Sequence, residues 1–274
     1  MILIHEVGDI VAFLNYEYRM TINYSEPVGK CYFTIKSIPA DDLRQRSISY
    51  DISVSPPTGY SDNKDSFGNR EIIGSVCDSH NTFDYTIRGL VETNASVITG
   101  RVDESKVGMY KYSYGKCIPG ENIRAFADDI KKDVQNLTSE REKCNWIMEL
   151  LRDRLYYEKG YTKIDTCAEE AFTGGKCVCQ DFAHIYITLL RLYGIPARYV
   201  CGIIVGEGES HAWVEAAVNG NYIAFDPTYN KQITDEYIKL GIGRDAGDCA
   251  INRGIMWGGG VQTQEIKVLV DKYY

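Results

Sequence analysis

The sequence predicts an α+β fold: an antiparallel β-sandwich followed by a core in which one central helix packs on an antiparallel sheet. Three observations predict it. Residues 2 to about 115 show the alternation and the β-branched and aromatic richness of short strands, with turn clusters between them. From Asn122 to Leu155 the apolar spacing changes to a helical one. Beyond Gly194 the strand pattern returns. Helices first and strands after, within one segment, read as α+β. The change of pattern at Gly115 to Gly120 suggests a hinge, so the expected division is a β-sandwich domain over 1–118 and a second domain over 119–274.

In order along the chain, residues 16–24, 31–36, 47–54, 70–73 and 83–91 are the expected strands of the first part. The clusters at Ser25-Glu26-Pro27, 55–59 and 65–69 are expected turns between them. His5 and His80 have no chemical constellation around them and read as structural or surface residues. Residues 122–137 fit an amphipathic helix, with Ile123, Phe126, Ile130 and Val134 on one face. Ser139 followed by Glu142 is a capping-box signal for a second helix through Leu155. Residues 156–176 read as a loop. An apolar helix then runs from about Cys179 to Tyr193, stopped by Gly194 and Pro196. Strands are expected at 197–205, 210–218, 221–225 and 264–270.

Composition limits the function classes. The 274 residues carry a net charge of −8, which argues against an electrostatic nucleic-acid or anionic-membrane partner. No run of apolar residues is long enough for a membrane span. The first residues lack the basic flank of a signal peptide. The nine cysteines are scattered and odd in number, as expected of reduced thiols in a cytoplasmic protein.

The chemistry points to Cys179. Placed where a helix begins, its sulfur meets unpaired N–H groups and the positive end of the macrodipole, which favour a thiolate. Asp181, His184, Thr188 and Arg191 form one narrow polar stripe on an otherwise apolar, buried helix. His184 lies about 140° around the helix from Cys179 and cannot serve it as a base. It reads as structural or solvated.

The base is sought in the hairpin around Asn219-Gly220. A two-residue loop pairs Trp213 with Asp226 and leaves His211 and Asp226 diagonal on one face. A four-residue loop sets them opposite, and a three-residue loop separates them. Pro227 ends the strand and holds Asp226 at its rim. Given packing of the helix on this sheet, Cys179, His211 and Asp226 form a nucleophile, base and orienting carboxylate. The Cys179 N–H is the natural oxyanion donor. Trp146, Tyr156, Tyr157 and Tyr161 are candidates for the second donor. Trp213 is expected on the strand face away from His211, in the core or walling the site. Arg198 and Glu215 read as structural ion-pair residues, and Arg244 and Asp245 as candidate cleft residues.

Four stretches, 175–184, 190–202, 211–215 and 225–230, resemble in order and spacing the transglutaminase-like superfamily. Within it they are most similar to the bacterial transglutaminase-like cysteine peptidases, and the likeness spans about residues 125–270. The region around 65–69 resembles the β-sandwich that precedes this core in bacterial members, and 243–248 resembles the Gly-Arg-Asp segment that follows the aspartate. The resemblance implies a papain-like core with Cys179, His211 and Asp226 as the triad, a peptide or protein substrate and no cofactor. It favours hydrolysis of peptide or isopeptide bonds over acyl transfer to an amine. Cys177 stands where a glycine is common, and Ala246 where an aromatic is common. Competing readings are a transglutaminase, a non-catalytic binding module that keeps the fold, and a thiol redox protein using Cys177 and Cys179. A metal site from Cys177, Cys179 and His184 is disfavoured, because Cys-x-Cys lacks the usual ligand spacing.

Overall fold

The computed structural model describes residues 11–273. His5 lies outside them. The elements follow one another as β1 (Val11–Ile35), β2 (Gln45–Ser55), β3 (Tyr60–Lys64), β4 (Arg70–Val76), β5 (His80–Asn94), β6 (Ile98–Arg101), α1 (Glu121–Asp129), α2 (Lys131–Asn136), α3 (Glu140–Arg154), β7 (Tyr156–Tyr157), α4 (Ala168–Gly174), β8 (Lys176–Cys177) and α5 (Cys179–Leu192). Then come β9 (Ala197–Ile204), β10 (Gly206–Gly208), β11 (His211–Val218), β12 (Asn221–Asp226), β13 (Lys231–Gln232), β14 (Tyr237–Gly243), β15 (Asn252–Gly258) and β16 (Gln262–Tyr273).

The first sheet is curled and antiparallel. β1 is its spine, and it serves two layers. Its first half pairs with β5 and β16, its second half with β4 and β15. The ladder slips between Asn23 and Val28, where the strand changes layer. Inward side chains of the two layers meet: the Phe33 ring of β1 lies 5.0 Å from that of Phe83 on β5. The expected turn at Ser25-Glu26-Pro27 is therefore a bend within one strand. The Ser25 and Glu26 N–H groups bond to the carbonyls of Val261 and Gly259, so the β15–β16 connection holds the backbone extended.

The second sheet runs β13-β12-β11-β9-β14, with β6 also paired to β12. Hydrogen bonding crosses the expected boundary at residue 118 in both directions. β6 joins the later sheet, while β10, β15 and β16 return to the earlier one. Side-chain amides stitch the sheets together. Gln45 both donates to the Lys239 carbonyl and accepts from its N–H, each at 2.8 Å. Asn69 does the same for Ile242, at 2.8 and 2.7 Å. These two residues satisfy the outer edge of β14, which would otherwise present unpaired backbone. Asp65 fixes Asn69 by accepting its side-chain N–H at 2.9 Å.

Helix α5 is the buried axis. It packs on β11 and β9, with α3 and α4 against its other sides. The polar stripe is buried along with the rest: Asp181, His184, Thr188 and Arg191 all lie in the interior. Gly194, at φ +77°, ends the helix as expected. The capping box at Ser139 and Glu142 is formed, with both bonds at 3.1 Å. Two helical expectations are corrected. The helix of 122–137 is broken at Ile130, whose ψ of 0° separates α1 from α2. The loop of 156–176 contains α4, started by the Glu170 carboxylate accepting the Cys167 N–H at 3.0 Å, and its ends pair as β7 and β8.

Candidate active site

Cys179 is the first residue of α5, after Val178. The turn is pinned by Asp181, whose Oδ2 accepts from the Val178 N–H at 2.8 Å and from the Thr162 hydroxyl at 2.6 Å. Asp181 thus shapes the helix start in a specific way. Cys179 is half-buried and lines, with His211, a cleft of about 1060 Å³.

The hairpin adopts the two-residue register. Val218 pairs with Asn221 and Val214 with Phe225, and Asn219 and Gly220 both have positive φ, 50° and 76°, as a type I′ turn requires. Asp226 therefore reaches His211 on the diagonal, with Nε2 and Oδ2 2.7 Å apart. The same Oδ2 accepts the Tyr237 hydroxyl at 2.8 Å. Oδ1 accepts the N–H groups of Thr228 and Tyr229, at 2.9 and 3.2 Å. Four donors hold a fully buried carboxylate, which is how such a charge is tolerated. Burial pulls the His211 pKa down. The hydrogen bond that His211 donates to Asp226, then the contact with Cys179, outweigh it and raise the value to about 9. With Nε2 engaged by Asp226, Nδ1 is the ring nitrogen left for the sulfur.

Aromatic rings wall the imidazole. Tyr229 stacks on it at 5.3 Å, and Trp213 lies at 6.3 Å. Trp213 was expected on the opposite face. Two residues from His211, it shares His211's side of the strand, since alternation has period two. The indole meets Tyr237 edge-on at 5.4 Å. Gly202, opposite His211 in the ladder, makes room for it: a Cβ there would come within 2.2 Å of the indole. Tyr237, absent from the sequence reading, lies eleven residues beyond Asp226 at the start of a strand whose glycines hide its pattern.

The other candidates are placed as follows. His184 is fully buried, its Nε2 accepts the Ala246 N–H at 3.1 Å, and burial pushes its pKa down to about 3. It is a neutral structural residue. Cys177 is also buried, directs its thiol to the Ala171 carbonyl at 3.7 Å, and is pushed up to about 12 by burial. Arg198 and Glu215 pair at 2.6 Å, with Lys239 2.9 Å from the same carboxylate. Arg244 and Asp245 do not line the cleft. Arg244 pairs with Asp248 at 2.8 Å, and Asp245 accepts the N–H groups of Lys116 and Gly247, at 2.9 and 2.8 Å. Of the four aromatic candidates for an oxyanion donor, Tyr157 lines the cleft, and its pKa is raised by burial and then by Cys179.

A buried helix whose first residue is a cysteine, packed on an antiparallel sheet that carries a carboxylate-bound histidine, defines the papain-like class of folds. Within that class the chain carries a match to a transglutaminase-like core and, before it, to a bacterial transglutaminase-like N-terminal region. The family model of the transglutaminase-like superfamily matches residues 124–227, and that of the N-terminal region matches residues 14–92. An uncharacterised Mycobacterium leprae protein is 38% identical over 131 residues, 44% of this chain and 47% of that one, so the match spans about half of that relative. An uncharacterised Mycobacterium tuberculosis protein is 26% identical over 270 residues, covering 88% of this chain and 86% of its own. The crystal structure of a candidate cysteine protease from Cytophaga hutchinsonii superposes with a TM-score of 0.79 at 21% identity, over 96% of this chain and 91% of that one. That likeness speaks to the fold.

Proposed function

We propose that the chain hydrolyses peptide or isopeptide amide bonds through an acyl-enzyme on Cys179, with His211 as base and Asp226 as its orienter. The observation that carries this reading is the His211–Asp226 contact of 2.7 Å in the cleft that also holds Cys179. Nδ1 of His211 takes the thiol proton, giving a thiolate–imidazolium pair. The sulfur attacks the carbonyl carbon, and the C–N bond breaks as Nδ1 returns the proton to the leaving amine. Water then adds to the thioester, gives a proton to Nδ1, and displaces the sulfur. The Cys179 N–H, at the start of α5, serves the oxyanion, with the Tyr157 hydroxyl as second donor.

Hydrolysis is favoured over amine transfer because the cleft is open, with Tyr157 and Tyr229 each about half exposed at its rim (52% and 53%). The redox alternative is disfavoured by the burial of Cys177. Nine cysteines, none in a disulfide, suit a cytoplasmic setting. Among the described residues no helix is long and apolar enough to cross a membrane.

Alkylation of the folded protein with iodoacetamide at pH 6, mapped by mass spectrometry, tests the reading. Selective labelling of Cys179 that disappears in His211→Ala is expected. Labelling of Cys179 no faster than the other exposed thiols, with or without His211, would overturn it.

A further inference from the structure

Part of the cleft lining is a strand edge. β10 pairs with β16 on one side, Glu207 opposite Leu269, and ends the first sheet; among the described residues no strand pairs with its other side. All three of its residues are exposed, and all line the cleft that holds Cys179 and His211. An unpaired edge is normally blunted or covered. Here it lines the same cleft as Cys179 and His211.

The glycines add to this. Gly206 has a positive φ of 120°, which explains its identity. Gly208 has neither a positive φ nor any atom within 4 Å of where a Cβ would stand. Neither conformation nor packing within the chain demands glycine there. Glycine in a strand with no internal reason marks a place where another backbone approaches closely.

Charge narrows the occupant. The cleft is lined by Glu207, Glu209 and Lys159. Lys159 reaches Glu209 at 3.8 Å, but both side chains are about two-thirds exposed (66% and 68%), so the pair is weak and readily exchanged. Glu207 has no cationic partner among the described ion pairs.

We propose that the outer edge of β10 receives the substrate as an added strand: an extended polypeptide segment, main chain against Gly206–Gly208, with a basic side chain directed to Glu207. This rests on the reading of the cleft as the catalytic site and specifies what that site takes. Main-chain pairing supplies affinity without regard to sequence, and the carboxylate supplies selection.

Binding to Cys179→Ala, measured by fluorescence polarisation, isolates docking from turnover. The probes are labelled hexapeptides that differ only in Lys, Ala or Glu at one scanned position. Lys peptides should bind best, and Glu207→Gln in the same background should erase the preference for Lys over Ala. Gly208→Val, with a melting temperature close to that of its parent, should weaken every peptide about tenfold. Methylating alternate peptide nitrogens should weaken binding and methylating the intervening ones should not. The inference is overturned if no peptide binds, if Gly208→Val binds normally, or if Lys and Glu peptides bind alike. Selective alkylation of wild-type Cys179 alongside such a failure would leave the catalytic reading standing. Docking without selective alkylation would overturn that reading and leave the strand-edge site.

Discussion

Two buried histidines lie on opposite walls of one interface, and they are tuned in opposite directions. His184, on the helix, faces a backbone N–H, and burial, followed by the charges of Lys116 and Arg191, keeps it neutral. His211, on the sheet, meets the same burial but also Asp226, and holds its proton to about pH 9. The difference teaches that burial does not decide charge in this core. The partner does.

Replacing each histidine is the strongest way to break the contrast. His211→Ala should lower kcat/KM for a cleaved peptide by about 10²–10⁴-fold while the protein stays folded, as steady-state kinetics and circular dichroism would show. His184→Ala should cost stability instead, about 2–4 kcal/mol in urea unfolding, because it leaves a cavity and orphans the Ala246 N–H. A folded His184→Ala protein that lost selective Cys179 alkylation would erase the distinction.

pH sharpens it further. A raised pKa stabilises the fold fully below the unfolded value of about 6.5, so the His211 contribution fades as pH climbs through about 9. A depressed pKa does the reverse. The unfolded chain takes a proton on His184 below about 6.5 while the folded one resists until about 3, so stability falls as pH drops across that window. Urea midpoints across pH should show both limbs, with the acid limb shallower in His184→Ala. Peptide hydrolysis should decline above about pH 9 as His211 loses its proton.

Smaller effects follow from the supporting cast. Tyr237→Phe removes one of two donors to Asp226 Oδ2, worth about 1 kcal/mol. It should reduce kcat a few-fold and move the alkaline limb upward, since the carboxylate then bears more of its charge on the imidazolium. An unmoved limb would mean that Tyr237 only fills space. Cys177→Ala should be the mildest: a small loss of stability and no change in the site or rate of alkylation.

How much of this was legible depended on periodicity and local turn chemistry. The stop at Gly194, the box at Ser139 and the Asn219-Gly220 turn each declare themselves through a few residues, and the turn sets the His211–Asp226 diagonal. β14 was not legible, because Gly241 and Gly243 break its alternation and its edge is satisfied by Gln45 and Asn69, far away in sequence. Nor was α4, whose start rests on a bond from a cysteine N–H to Glu170. The return of β15 and β16 to the first sheet is a long-range pairing that no local pattern encodes. Trp213 is different in kind: its place beside His211 is legible, since residues two apart share a strand face.

The long closing strand β16 is zipped to β1 along one side and to β10 along the other, and β10 ends three residues before His211. The base therefore hangs from the far end of the chain as much as from its own hairpin. Trimming the last dozen residues should free the 206–210 segment and let the imidazole wander, silencing the thiol from a distance without altering any group it touches.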